Sequence, residues 1–315
     1  MPRAVNFKPE MNLAKLIAKF DNDEKCRMHL EELRWPEGIK CLRCESQKIS
    51  RNYKRNQFVC DSCNYQFSVT AGTIFHDSHL PLRKWFIATL LICEAKKGVS
   101  ALQLKRTLGV AYKTAWYLSH RIREAVKDAD TSLLSGICEL DETYVGGKAK
   151  NMHKAQRERK IKGRGASGKA MVLGAIQRGG KVRLDAAVTP DRETLKAFIA
   201  AKLADETTDI MTDDFPAYEG CADSNTRHQT VNHSAKEYVR GDVHTNTMEN
   251  VWSLFKRSII GSYHQISVKH LDRYLDELEF RFNNRNNPYL FRDTLLRLLA
   301  SSNLEYKQLT KEKAA

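Results

Sequence analysis

"GICELDETYVGG", residues 136–147, is a short apolar strand that runs straight into an acid, Asp141, and ends on paired glycines. The segments C-terminal to it give that acid its setting. "AMVLGAIQ" (170–177) and "VRLDAAVT" (182–189) flank "RGGK", two apolar runs joined by a glycine turn, which predicts a β-hairpin. "DRETLKAFIAAKLADE" (191–206) places Leu195, Phe198, Ile199 and Leu203 on one helical stripe. "TDIMTDDFPAY" (208–218) is a brief strand that terminates at Asp213 and Asp214, and "RHQTVNHS" (227–234) is a further candidate strand. Two helical patterns close the series, "HTNTMENVWSLFKR" (244–257) and "HLDRYLDELEFRFNNRNNP" (270–288). This half of the chain therefore reads as an α/β domain with a strand–acid, a hairpin, a helix, a second strand–acid, a strand and a helix–acid.

One carboxylate at a strand end is usually plain surface. Three from separated elements can hold two hard cations through oxygen and so support in-line phosphoryl displacement. The helix at 244–257 supplies the third. At about 100° per residue, Met248, Val251, Trp252, Phe255 and Ile259 form an apolar stripe, while Glu249 and Lys256 fall roughly 20° apart at its edge. Seven residues is too long for the usual ion pair along a helix, which spans three or four. Glu249 is therefore expected to reach metal, and Lys256 to meet a DNA backbone beside it.

Composition supports a polyanionic partner. The 315 residues carry 52 Lys and Arg against 38 Asp and Glu, a formal charge of +14. A surplus of that size suits nucleic acid, although a merely basic surface fits it as well. "MPRAVNFKPEMN" has no apolar core of a signal peptide, and the longest apolar run, "FIATLLIC" (86–93), is far shorter than the roughly 20 residues that span a bilayer. The expectation is a cytoplasmic, nucleoid-associated protein with reduced cysteines and no membrane contact.

Four of the 8 cysteines stand as "CLRC" (41–44) and "CDSC" (60–63). Two-residue gaps aim both thiolates of a turn at one ion, so Cys41, Cys44, Cys60 and Cys63 predict a four-sulfur zinc site. Cys26, Cys93, Cys138 and Cys221 are isolated and read as small core residues. In "KKGVSALQLKRTLGVAYKTAWYLSHRIR" (96–123), Ser100 and Gln103 form a capping box for a helix to about Thr107. "LGV" then turns the chain, and a second helix begins near Ala111 with Ala115, Leu118 and Ile122 inward. Tyr112, Lys113 and Thr114 at its start, with Arg121 further along, are candidate DNA contacts of a helix-turn-helix. The segment is rich in Lys and Arg and has no acid; a plain helical hairpin is the alternative. The stretch 147–169 is strongly basic without apolar period, and reads as a flexible DNA-facing insert or a solvated loop.

Taken together, "CLRC…CDSC", "TAGTIFHDSHLPLRKW", the helix-turn-helix run, "LDETYVGGK", "TDDFPAY" and "HTNTMENVWSLFKR" resemble bacterial insertion-sequence transposases of the ISXO type, which join an N-terminal zinc ribbon to a DDE catalytic domain. The resemblance spans about residues 20 to 290, with the motifs in order. It implies a ribonuclease H-like mixed sheet flanked by helices, and magnesium-dependent cleavage and joining of DNA at the element's ends. Two ions are implied, with Mn²⁺ able to substitute. By motif, Asp141, Asp213 and Glu249 would be the catalytic metal ligands, and Lys256 the basic residue beyond. Asp214 adjoins Asp213, and Asn246 and Asn250 flank Glu249, so neighbouring ligands remain open. A DNA-bound homodimer or larger assembly is implied by the family alone.

The expected organisation is a zinc ribbon over 20–75, a helix-turn-helix domain over 76–130, a catalytic domain over 131–300 with the insert at 147–169, and a tail over 301–315. Two other functions use the same parts. A junction resolvase or repair nuclease would cut without joining, and a regulator would bind DNA on an inert scaffold.

Overall fold

A computed structural model describes residues 10–127, 132–147, 152–160, 169–187, 191–221, 226–231 and 239–311. The chain divides into two compact units, Met1–Lys127 with Asn284–Ala315, and Asp128–Asn283.

The first unit opens with α1 (Leu13–Lys19) and α2 (Asp23–Arg34). Asn12 and Asn22 cap them, each accepting a backbone N–H three residues on at 2.9 Å. A three-stranded antiparallel sheet comes next, β1 (Ile49–Asn52), β2 (Gln57–Cys60) and β3 (Gln66–Phe67). Then come α3 (Leu82–Glu94), α4 (Ala101–Leu108) and α5 (Tyr112–Val126). Ser100 accepts Gln103 N at 3.0 Å to start α4, and Gly109 ends it in the left-handed region at φ 59°, where a Cβ is disfavoured. Ala115, Leu118 and Ile122 are buried along α5. These are the two helices and the turn read from 96–123.

The second unit carries β4 (Leu134–Val145), the short α6 (Lys154–Lys160), β5 (Ala170–Gln177), β6 (Val182–Ala187), α7 (Arg192–Lys202), β7 (Leu203–Asp213), β8 (Arg227–Val231), α8 (Asn246–Ser258) and α9 (Leu271–Asn283). The sheet order is β6-β5-β4-β7-β8. β4, β5 and β6 run antiparallel, whereas β7 and β8 lie parallel to β4. Three meandering strands continued by two parallel ones make this the mixed α/β sheet of a ribonuclease H-like domain. One face packs Leu140, Leu173 and Ala175 against Leu195 and Phe198 of α7. The other packs Val172, Ile176 and Leu184 against Met248, Val251, Trp252 and Phe255 of α8 and Leu271, Leu275 and Leu278 of α9.

Several expectations are corrected. Asp141 is not at the end of its strand, because β4 continues to Val145 in register with β5. Leu203 opens β7 rather than closing the preceding helix. Part of the basic insert is helical, at Lys154–Lys160; its flanks at 148–151 and 161–168 lie outside the described residues, as do the strand ends at 188–189 and 232–234. The boundary drawn at 300 also moves. α10 (Leu290–Ala300) and α11 (Tyr306–Thr310) belong to the first unit. The apolar side of α10 explains this: Phe291 packs on Phe20 and Phe86 at ring separations of 6.4 and 5.7 Å, and Leu298 offers its carbonyl to Ile74 N at 3.3 Å.

Gly174 on β5 decides how closely α8 can approach. A Cβ built there would lie 2.7 Å from the Trp252 ring and nearer still to the Met248 methyl. Gly174→Ala should therefore lift the helix and destabilise the second unit by about 1–3 kcal/mol, the usual range for overpacking. Urea unfolding would register the loss; an unchanged midpoint would show that the contact is slack.

Candidate metal centres

The ribbon brings its four thiols together from two matching turns. Glu45 N donates to Cys41 O at 3.0 Å and Asn64 N to Cys60 O at 2.8 Å, and both residues adopt positive φ of 58°. Each turn so folded points a pair of sulfurs to one side. Cys41 Sγ lies 3.6 Å from Cys63 Sγ, and Cys44 Sγ 3.5 Å from Cys60 Sγ. All four donor atoms fall within 4.8 Å of one another. A tetrahedron of Zn–S bonds near 2.3 Å places its sulfurs about 3.8 Å apart, so the set fits zinc with little adjustment. Phe58 and Phe67 back the site with Trp35, at ring separations of 5.5 and 6.0 Å from that indole.

The acidic centre lies where β4 passes the end of β7. Glu139 pairs with Met211 in the parallel register, so two residues further along Asp141 stands beside Asp213. β7 stops at Asp213, and Glu142 is the next residue on β4. Donor oxygens of Asp141, Glu142 and Asp213 come within 4.8 Å of one another. Trp252 Nε1 donates to Asp141 Oδ2 at 3.0 Å, and Tyr218 O–H donates to Glu142 Oε2 at 3.1 Å. Asp213 Oδ1 accepts Phe215 N at 3.1 Å, which turns the chain away after the strand.

Crowding has an electrostatic consequence. Burial, then the charges of Glu142 and Asp213, push the Asp141 carboxyl up to about 8. Burial and Asp213 push Glu142 up to about 7, against the Tyr218 hydrogen bond that lowers it. The Tyr218 phenol is driven well above its usual range by burial and the same three acids. Three half-buried carboxylates that resist joint ionisation form a donor set that a hard divalent cation would relieve.

These shifts make stability depend on pH. Because both folded pKa values exceed the unfolded ones, the metal-free fold holds extra protons between about pH 4 and pH 8. Its stability is complete at the acidic end of that window and declines as pH rises through it. A cation that displaces those protons offsets the decline. Mg²⁺ should therefore raise the melting temperature more at pH 8 than at pH 6; equal shifts would contradict the reading.

Other residues singled out by sequence lie apart from this group. Glu249 is in the first turn of α8, exposed and outside the acidic group. Trp252, three residues on, occupies the position against Asp141. Asn246 and Asn250 are exposed, and Asn250 Nδ2 donates to the Asn246 carbonyl at 2.9 Å. Asp214 is exposed and also outside the group. Lys256 is exposed in the last turn of α8. In the first unit Tyr112 and Lys113 are exposed and Thr114 half-buried at the start of α5, with Lys113 Nζ 4.3 Å above the Tyr306 ring. Arg121 is corrected as a surface contact. It is only 3% exposed, and its Nη2 donates to His76 O at 2.7 Å and Asn303 Oδ1 at 2.6 Å.

Glu142 is the member of the acidic group that sequence reasoning does not assign; Tyr218, whose hydroxyl donates to it, is read there only as the tyrosine that closes the "TDDFPAY" motif. Strand alternation sends Asp141 and Glu142 to opposite faces, so adjacency argues against pairing them. The usable signal is the run of three acids, Glu139, Asp141 and Glu142, within one strand.

Among the described residues no helix is long and apolar enough to cross a membrane. Comparison with known proteins gives two domain matches: residues 133–283 match the ISXO2-like transposase domain, and residues 21–66 match the transposase zinc-ribbon domain. The first ends at the residue where the second compact unit ends. The chain is also 32% identical over 279 residues to an uncharacterized protein in transposable element ISH50 of Halobacterium salinarum, covering 84% of this chain and 92% of that protein.

Proposed function

From the premise that the chain belongs to the ISXO2-like, zinc-ribbon-bearing transposase family, we propose that it binds the terminal repeats of its insertion sequence, cuts there and joins the freed end to target DNA. The observation that carries this reading is the convergence of Asp141, Glu142 and Asp213 at the end of β7. In a strongly basic chain, a phosphodiester is the substrate that complements such a site.

Asp141 and Asp213 would hold the cations, with Glu249 completing the ligand set implied by its motif and Glu142 as an added carboxylate. When bound, magnesium would stabilise the attacking and leaving oxygens of an in-line displacement. Water attacks the phosphorus at the transposon end, leaving a 3′ hydroxyl and a 5′ phosphate. That hydroxyl then attacks a target phosphodiester, forming a new strand joint and releasing a target 3′ hydroxyl. No covalent enzyme–DNA link is required. Tyr218 holds Glu142 and Trp252 holds Asp141, so the acids keep their places between the two steps. The zinc ribbon and the start of α5, with Tyr112, Lys113 and Thr114, would position the DNA. A homodimer or larger assembly on DNA in the cytoplasm would bring two ends together.

Incubating labelled DNA carrying the element's terminal repeats with a target plasmid and Mg²⁺ tests this reading. Cutting and then joining is expected. Cutting alone would indicate a nuclease, and binding without reaction a regulator.

Lys256 has a separate expectation. It stands two helical turns from Glu249 on the exposed side of α8, about 10 Å along the axis. A lysine is a flexible point charge suited to a phosphate that shifts as the strand is cut. Lys256→Ala should lower the salt slope of end-DNA binding by about one unit and impair cleavage. A wild-type slope and rate would leave the side chain as ordinary surface.

A further inference from the structure

Glu139 stands two residues before Asp141 on β4, on the same face of the strand, and it is fully buried. It belongs to no metal-ligating group among the described residues. Its Oε2 accepts the backbone N–H groups of Thr247 and Met248 at 2.8 and 3.0 Å. Its Oε1 accepts the Thr247 hydroxyl and Arg178 Nε, each at 2.8 Å. Arg178 Nη2 in turn donates to the His244 carbonyl at 3.0 Å, and the His244 ring nitrogen lies 3.4 Å from Glu139.

α8 makes no side-chain cap of its own, for Thr245 at its N-cap forms no such bond. The first turn of any helix leaves backbone N–H groups without partners. Here two of them are met by a carboxylate from a strand more than a hundred residues earlier. A buried anion facing the positive end of the helix dipole, with an arginine beside it, makes charge-assisted bonds of strict geometry. A neutral cap from α8 itself would satisfy the same groups without tying the helix to the sheet.

We propose that Glu139 is a positioning residue, fixing the N-terminal end of α8 on the strand that carries Asp141. The apolar contacts of Met248, Val251, Trp252 and Phe255 decide which side of α8 is buried, and the Glu139 cap decides where its first turn stops. With Trp252 bonded to Asp141, α8 is held to β4 at two points a little over one turn apart. Glu249 lies between them. The consequence for catalysis rests on reading the acidic group as the strand-cleaving centre; the clamp itself does not.

Glu139→Gln in the full chain separates the two. Glutamine keeps the size but offers one acceptor oxygen, and its NH₂ faces donors. Amide hydrogen exchange at Thr247 and Met248 should accelerate by roughly tenfold or more, while the amides of β4 and β5 keep their protection. The single-turnover rate of end-DNA cleavage, at saturating DNA and Mg²⁺, should fall about tenfold or more, with DNA affinity within about twofold of wild type. A merely structural role would lower global stability and spare neither DNA binding nor the protection of the sheet. Thr247→Val removes a single bond to Glu139 and should give a smaller loss of rate of the same kind, which serves if Glu139→Gln does not fold. Unchanged exchange at 247–248 overturns the clamp, and accelerated exchange with a wild-type cleavage rate overturns its positioning role. If the wild-type chain itself fails to cut, the assignment of the reaction is what fails, and the exchange data still decide whether Glu139 pins the helix.

Discussion

Asp141→Asn and Asp213→Asn should each reduce the proposed cleavage of terminal-repeat DNA by on the order of a thousandfold while end binding stays near wild type. The reason is local. Each change deletes one anionic oxygen from a group whose donors lie within 4.8 Å, and neither side chain is part of the ribbon or of α5. Asparagine preserves size and keeps one acceptor oxygen for either Trp252 Nε1 or the Glu142 N–H, both of which donate to Asp141, and the backbone pairing of β4 with β5 keeps the sheet in register. Asp214→Asn should be active, because that carboxylate is exposed and outside the group. Glu249→Gln and Glu142→Gln discriminate between the two candidates for the remaining ligand. Loss of cleavage in the first is expected from its motif; reduced Mg²⁺ affinity with residual cleavage is expected in the second. Gel-resolved cleavage beside a binding assay measures all of these. An active Asp213→Asn with an inactive Asp214→Asn would overturn the assignment of the second ligand.

Removing zinc should have the other large effect. The ribbon has only a small apolar cluster around Phe58 and Phe67, and its two turns depend on residues in the left-handed region. Metal bound by Cys41, Cys44, Cys60 and Cys63 contributes on the order of 10 kcal/mol to such a domain. A strong chelator, or Cys60→Ser, should unfold residues 41–67 and abolish end-DNA binding, while the sheet of β4 to β8 melts at its usual temperature. Protease mapping and elemental analysis would track the loss. Purified protein that holds no zinc, yet resists proteolysis over 41–67, would contradict it.

Most of this architecture is legible in the chain. The cysteine spacing marks the ribbon because ligand geometry acts over a few residues. The hairpin, the helices at 101–108 and 112–126, and the apolar stripe of α8 are set by periodicity and capping. Longer-range features are not visible at that scale. The return of α10 to the first unit depends on which core Phe291 and Leu298 find, and no local pattern states that. Arg121 looks like a surface cation until the partners offered by His76 and Asn303 are known. The convergence of Asp141 with Asp213 is expected from their separate strand settings, whereas Glu142 points to the opposite face by strand alternation and joins them only in three dimensions, at the end of β7.

The most direct test of the acidic group supplies a pre-cut terminal-repeat DNA with a free 3′ hydroxyl and a supercoiled plasmid, and monitors joining by wild-type chain and by Asp141→Asn. Wild type in Mg²⁺ should convert the plasmid to joined product, with none in excess chelator and none from the variant. Joining by Asp141→Asn at the wild-type rate, or by wild type without divalent cation, would contradict the assignment of reaction and site together.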